Sequence, residues 1–295
     1  MRLFVLSDVH LLPEAQQKIQ SLSEDPLAFP SEDAQPDTAE LIKRAGDAEA
    51  VVVSPGTKVT RELLDACPSI KYIGICGTAK ENVDQTATSE QGITLTNVAH
   101  YGDEPAAEFI FMQLVALARG VCGKQWRENP TELMGKTVGI IGLGALGQTI
   151  ACLALAYKMR VSYNGPTRKQ DWEAQGVSYS EKSELLKTSD IVVISSPSNL
   201  KVVTADEFGL MKPNTLLVQA SMGNCFDKDA FLAWIGKDNN FAMFDYSAGN
   251  ATYEAYKDLT NVVFPKIVAG HSYETKQRLG ERVFENLQAY LNSRV

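Results

Sequence analysis

A chain of 295 residues with 44% apolar and 22% charged side chains has material for two cores of ordinary size and the composition of a globular protein. A formal charge of −8 without a basic block argues against nucleic acid or an anionic membrane surface as partner. Five widely spaced cysteines (Cys67, Cys76, Cys122, Cys152, Cys225) with no C-x-x-C pair exclude a disulfide framework or zinc site and fit a reducing cytoplasm, and no apolar run has the length of a signal core or membrane span.

Residues 2–7 read as a buried strand, and 10–23 carry apolar side chains at helical spacing. Residues 25–36, with three prolines and several acids, read as a loop. A helix at 37–45, a strand at 50–54, a helix at 58–66 and a strand at 71–76 then alternate, the pattern of a parallel sheet with helices on its faces. A short helix over 82–91, ended by Gly92, precedes a strand at 93–98. Residues 104–119 form a helix that is apolar nearly all round. Such a helix is buried on several sides, either between domains or subunits or in the core of the second domain.

The strongest local signal is TVGIIGLGALGQTIACLALAY, residues 137–157. A β-branched run, then Gly142, Gly144 and Gly147 in G-x-G-x-x-G order, then an Ala/Leu helix is the strand–turn–helix of a dinucleotide site. Gly142 permits the turn, Gly144 lets a pyrophosphate approach the backbone, and Gly147 lets helix and strand pack closely. Ala145 and Leu146 open the helix, so their N–H groups face the anion. Further strands are expected at 160–163, 190–195, 215–219, 241–244 and 262–264, with a closing amphipathic helix at 272–291. One α/β domain is therefore inserted into another, with crossings near 97–101 and 265–271. Residues 1–98 plus 272–295 make the substrate domain and 99–271 the nucleotide-binding domain.

With these residues in view, the chain resembles the D-isomer-specific 2-hydroxyacid dehydrogenase family along nearly its whole length. LLDACPSIKYIGICGTAKENVD, QGITLTNVAHYGDEPAAEFIFMQLVALAR, GLGALG and MKPNTLLVQASMGNCFDKDAF stand where that family has related blocks. The resemblance implies two doubly wound, Rossmann-like parallel-sheet domains with an active-site cleft between them, and a homodimer. It puts the amides of Gly77 and Thr78 beside the small-molecule substrate's carboxylate, Ser195, Ser196 and Pro197 beside the nicotinamide ribose, Ala220 among the other cofactor contacts, and Asp245 at the nicotinamide amide. A turn after a strand is also often only a turn.

Cofactor choice is read at the end of the second nucleotide strand, where users of NAD carry an acidic residue for the ribose hydroxyls. Here stand Asn164, Thr167, Arg168 and Lys169. Two cations and a hydroxyl suit a 2′-phosphate and favour NADP, whereas a solvated basic turn without selectivity leaves NAD as the alternative.

Three departures from the family pattern bear on catalysis. Ser221, Met222 and Gly223 stand at its Ala-Arg-Gly step, Asn250 at its Glu, and Lys266 after Phe264 and Pro265 where a His follows Thr-Pro. Reduction of a 2-oxo acid needs a cation for the carboxylate and an acid for the alkoxide. Lys266 and His271 are the groups left to supply a proton, with an exposed loop lysine and a helix-start histidine as the plainer readings. Met222 and Tyr246 make the substrate site more apolar than one for a small acid. Two functions follow: an oxidoreductase acting on a carbonyl, hydroxy or imine group with an unusual proton donor, or a cofactor-binding protein without turnover.

Overall fold

The structure is a computed structural model that describes residues 1–31, 35–121 and 123–294. Cys122 and residues 32–34 of the expected 25–36 loop lie outside the described residues. The chain divides into two compact units, Met1–Tyr101 with Ser272–Val295, and Gly102–His271.

In the smaller unit, β1 (Leu3–Val5), β2 (Ala50–Val53), β3 (Tyr72–Ile75) and β4 (Thr94–Thr96) form a parallel sheet in sequence order. Helices α1 (Pro13–Gln20), α2 (Thr38–Ala45), α3 (Arg61–Ala66) and α4 (Gln85–Glu90) connect the strands. Three starts are set by side chains, since Asp37, Thr60 and Asp84 each accept the N–H three residues on. Strands β2 and β3 are buried along their whole length, which is why they read as unbroken apolar runs.

In the larger unit, α5 (Asp103–Arg119) precedes β5 (Thr137–Ile141), α6 (Ala145–Ala156), β6 (Arg160–Asn164), α7 (Gln170–Glu173), β7 (Val177–Tyr179), α8 (Lys182–Thr188) and β8 (Ile191–Ile194). There follow α9 (Ala205–Phe208), β9 (Leu216–Gln219), α10 (Lys228–Ile235), β10 (Phe241–Phe244), α11 (Tyr246–Gly249), α12 (Tyr253–Tyr256) and β11 (Val262–Val263). The strands form one parallel sheet in the order β11-β10-β9-β8-β5-β6-β7. The order reverses between β5 and β8, and that crevice at the carboxyl ends is where a doubly wound sheet binds its ligand. Helix α5 buries Ala107, Ile110, Phe111, Leu114, Leu117 and Ala118 in the core on one face of this sheet and leaves Met112 exposed. It is thus a core helix of the larger unit.

The chain returns to the smaller unit as α13 (Tyr273–Asn292), started by Ser272, whose hydroxyl accepts from the N–H of Thr275. Leu279, Val283 and Leu287 of α13, with Ala15 and Ile19 of α1, cover the face of Leu3, Val5, Ala50, Val52 and Tyr72; α2 and α3 cover the other. Where α13 crosses α1, a Cβ on Gly280 would collide with that of Ala15. Gly280→Val is expected to destabilise the chain by about 2 kcal/mol through overpacking. Equal denaturant midpoints for variant and wild type would show that the two helices can part without cost.

Candidate functional site

The turn between β5 and α6 lies at the sheet reversal, and each of its glycines has a separate physical reason. Gly142 has φ +99°, and a Cβ there would come within 2.6 Å of the Ser195 carbonyl oxygen. Gly147 lets α6 approach, because a Cβ on it would run into the Gly142 carbonyl. Gly144 differs from both. It is exposed, in ordinary extended backbone (φ −75°, ψ −166°), and a Cβ there would meet nothing within 4 Å.

Behind that open space α6 begins with no side-chain cap. The first helical N–H to find a backbone acceptor is that of Gln148, on Gly144, so the N–H groups of Ala145, Leu146 and Gly147 have none among the described residues. Three aligned donors at the positive end of a helix form an anion site.

The neighbouring loops are tied to this turn. Ser195 Oγ donates to the Gly142 carbonyl at 2.6 Å, and Ser221 Oγ donates to the Ser196 carbonyl at 2.8 Å. The Asn199 N–H bonds the Met222 carbonyl at 3.0 Å. Thus Gly142, Gly144, Ala145, Leu146, Gly147, Ser195, Ser196, Pro197, Ala220 and Met222 gather on the loops at the carboxyl ends of β5, β8 and β9, with Pro197 and Met222 exposed.

At the end of β6, Asn164 gives its backbone carbonyl to the Gly142 N–H at 2.8 Å and its side-chain N–H to the Ser180 carbonyl at 2.9 Å. Thr167, Arg168 and Lys169 follow on an exposed turn. The fully buried Tyr163 anchors it, its hydroxyl accepting from Lys169 N at 2.6 Å and donating to Glu173 at 2.8 Å. Glu173 is also paired with the Arg168 guanidinium, which lies 5.1 Å over the Tyr179 ring. Arg168 first and Tyr163 second hold the Glu173 carboxyl below its ordinary value.

A third cluster stands at the ends of β10 and β11. Asp245 accepts from Ala269 N at 2.6 Å and from Ser247 Oγ, while Tyr246 N donates to the Ile267 carbonyl at 3.0 Å. These bonds bring Lys266 beside Tyr246, with Nζ 5.7 Å from the ring centre. Lys266, Asn250 and His271 are all exposed. Asn250 starts a single 3₁₀ turn, and His271 ends the unit with its N–H on the Val268 carbonyl.

Gly77 and Thr78 belong to the smaller unit. A side chain on Gly77 would strike Pro55, which explains the glycine by packing alone. Yet the N–H groups of both residues have no acceptor among the described residues, as a carboxylate-binding loop requires. Thr78 Oγ1 donates to the Val98 carbonyl at 3.1 Å.

Residues 110–262, more than half of the chain, match the family model described as D-isomer specific 2-hydroxyacid dehydrogenase, NAD binding domain. The chain belongs to the D-isomer specific 2-hydroxyacid dehydrogenase family. One curated member, the glyoxylate reductase of Thermococcus onnurineus, is 27% identical over 282 residues, covering 86% of this chain and 83% of that protein. An acyclic imino acid reductase solved in complex with NADPH and D-Arg superposes with a TM-score of 0.82 at 26% identity, covering 99% of this chain and 98% of that one. The D-lactate dehydrogenase of Aquifex aeolicus, solved with NAD and lactic acid, shares the fold with a TM-score of 0.81 at 23% identity, covering 99% and 96%.

Both parallel sheets expected of the D-isomer specific 2-hydroxyacid dehydrogenase family are thus present, and the larger unit is its NAD(P)-binding domain. The residues at the β5 turn fit the pyrophosphate of such a cofactor, because the one glycine that faces open space is the one a ligand must approach. Ser221 and Glu173 were not among the residues singled out from sequence. Ser221 stood in view as part of the Ser-Met-Gly step, and Glu173 carried a signal in lying five residues beyond Arg168 on the next helix.

Proposed function

We propose that the chain is a reductase that transfers hydride from NADPH, in preference to NADH, to a carbonyl or imine carbon, with the reverse oxidation of a hydroxy or amino compound open to it. The open space at Gly144 in front of three unpaired helix N–H groups carries the cofactor half of this reading. The bound cofactor supplies the hydride. The chain must then hold the substrate, orient it and, for a carbonyl, provide a proton.

Gly77 and Thr78 offer two backbone donors to a substrate carboxylate, and Met222 stands where the family pattern has an arginine that would share that load. A substrate with a weaker demand for a cation suits this set. A protonated imine is one, because it carries its own positive charge and needs no acid when hydride reaches carbon. The imino acid reductase among the solved relatives supports this substrate class. For a carbonyl substrate the ammonium of Lys266, held near Tyr246, is the proposed proton donor to oxygen, with His271 and Asn250 as the other polar groups.

The test is oxidation of NADPH and NADH across 2-oxo acids, ketones, aldehydes and preformed imines. Lys266→Ala is expected to lower carbonyl turnover by about 10²-fold or more and to leave imine turnover nearly unchanged. Full carbonyl activity in this variant would remove Lys266 from the reaction. The exposure of Lys266 and Asn250 favours a second reading, cofactor binding without turnover. It would be established if the folded protein bound cofactor and turned over nothing in the panel.

A further inference from the structure

We propose that Glu173 sets the preference between the two nicotinamide dinucleotides by competing with the 2′-phosphate for Arg168. The inference rests on the cofactor reading above. The adenine ribose is met at the end of the second strand of a doubly wound sheet, and here that end is Asn164 with the turn bearing Thr167, Arg168 and Lys169.

Arg168 does not stand on this turn as an isolated cation. Its Nε donates to Glu173 Oε1 at 3.1 Å, and a terminal N–H of the guanidinium pairs with Oε2. Two of the five N–H donors of the guanidinium are thereby committed to a carboxylate. Glu173 cannot swing aside freely, because Oε1 also accepts from the hydroxyl of the fully buried Tyr163 and the side chain is only 21% exposed. Arg168, at 63% exposed, is the mobile member of the pair.

The two cofactors meet this pair differently. A 2′-phosphate must bind Arg168 through its remaining donors, with a fixed carboxylate on the far side of the same guanidinium. Its charge is partly cancelled and its dianion repelled. A ribose bearing only hydroxyls makes no such demand. Glu173 therefore weakens NADPH and leaves NADH untouched, holding the chain nearer to dual use than its basic turn alone would.

The experiment is calorimetric titration of NADPH and of NADH into the full chain, into Glu173→Gln, into Arg168→Met and into the double variant. Glutamine keeps the volume and an oxygen acceptor for Tyr163. It is expected to tighten NADPH about fivefold while NADH stays within about twofold. In the Arg168→Met background the same change should leave the ratio of the two affinities within about twofold. Should Glu173→Gln disturb the turn, seen as an earlier thermal transition, Glu173→Ala removes the carboxylate outright and must shift the ratio in the same direction. Equal shifts for both cofactors, no shift, or selective weakening of NADPH would each overturn the proposal while leaving the cofactor site standing. Failure of the wild-type chain to bind either cofactor would overturn both.

Discussion

Gly144→Asp is expected to abolish cofactor binding in a chain that melts no earlier than wild type. The backbone at Gly144 is ordinary extended structure, and a Cβ there meets nothing within 4 Å, so the folded state accepts a side chain without strain. An aspartate at the first position before α6 is also a good helix cap, contributing about 1 kcal/mol by accepting from the N–H groups that now have no partner. Those are the donors a pyrophosphate needs. The new carboxylate would take them and repel the incoming anion, and NADPH affinity should fall by roughly 100-fold or more. Thermal melting and cofactor titration on one sample check both halves. Retained affinity in a folded Gly144→Asp protein would mean that the nucleotide lies elsewhere. Gly147→Ala is the contrasting case, since its Cβ would drive into the Gly142 carbonyl, and stability and binding should be lost together.

Asp190→Asn is expected to cost about 2–3 kcal/mol at neutral pH, from a residue at the end of the sheet opposite the nucleotide turn. Asp190 precedes β8 and accepts from Thr137 N at the start of β5 at 2.8 Å, from Lys212 Nζ at 2.9 Å and from Arg127 at 3.4 Å. Its carboxyl is 15% exposed, and among the described residues Arg127 Nε has no hydrogen-bond partner. Loss of the charge would leave a half-buried guanidinium, stacked on Trp126, with no other acidic partner among the described residues. Burial raises the Asp190 carboxyl, but the Thr137 N–H, Lys212 and Arg127 together outweigh it and hold the group below its ordinary value. A carboxyl depressed in the folded state stabilises fully above its unfolded value, near 4, and that contribution fades as pH falls through the lower folded value. The difference between wild type and Asp190→Asn should therefore be full at pH 7 and shrink below about pH 4. Unfolding by denaturant at the two pH values measures it, and a pH-independent difference would assign the cost to shape rather than charge.

The elements that sequence periodicity locates best are those whose burial is uniform. β2, β3 and β8 are buried at every position and stand out as apolar runs, and the β5 turn stands out because two of its glycines answer to separate steric demands and the third, Gly144, faces open space. β7 escaped notice for the opposite reason. It is three residues long at the sheet edge, with Ser178 exposed, so neither run nor alternation marks it. The site was legible where the backbone makes it and much less so where side chains do. Asp245 was read as a cofactor contact, and the fold adds what the sequence did not mark, that it accepts from Ala269 N, 24 residues away, and from Ser247 Oγ. The two cations after Asn164 were counted as charges, whereas one of them is balanced by Glu173. For Lys266 both a proton donor and an exposed loop lysine could be read from sequence; the side chain is exposed, and exposure depends on packing that no local pattern encodes.

The way the smaller unit is assembled affects how the protein is made. Its sheet is written by the first hundred residues, but the face of Leu3, Val5, Ala50, Val52 and Tyr72, covered in part by Ala15 and Ile19 of α1, is completed only by α13. Between the two the ribosome must translate the whole of the larger unit, roughly 170 residues or about 10–35 s at ordinary elongation rates. Throughout that interval a nascent parallel sheet waits with one greasy side only partly covered, while the unit that carries the nucleotide turn has all of its own strands and can close first. Chaperone demand during synthesis should thus centre on the amino-terminal segment, although the last helix is the part whose arrival ends it.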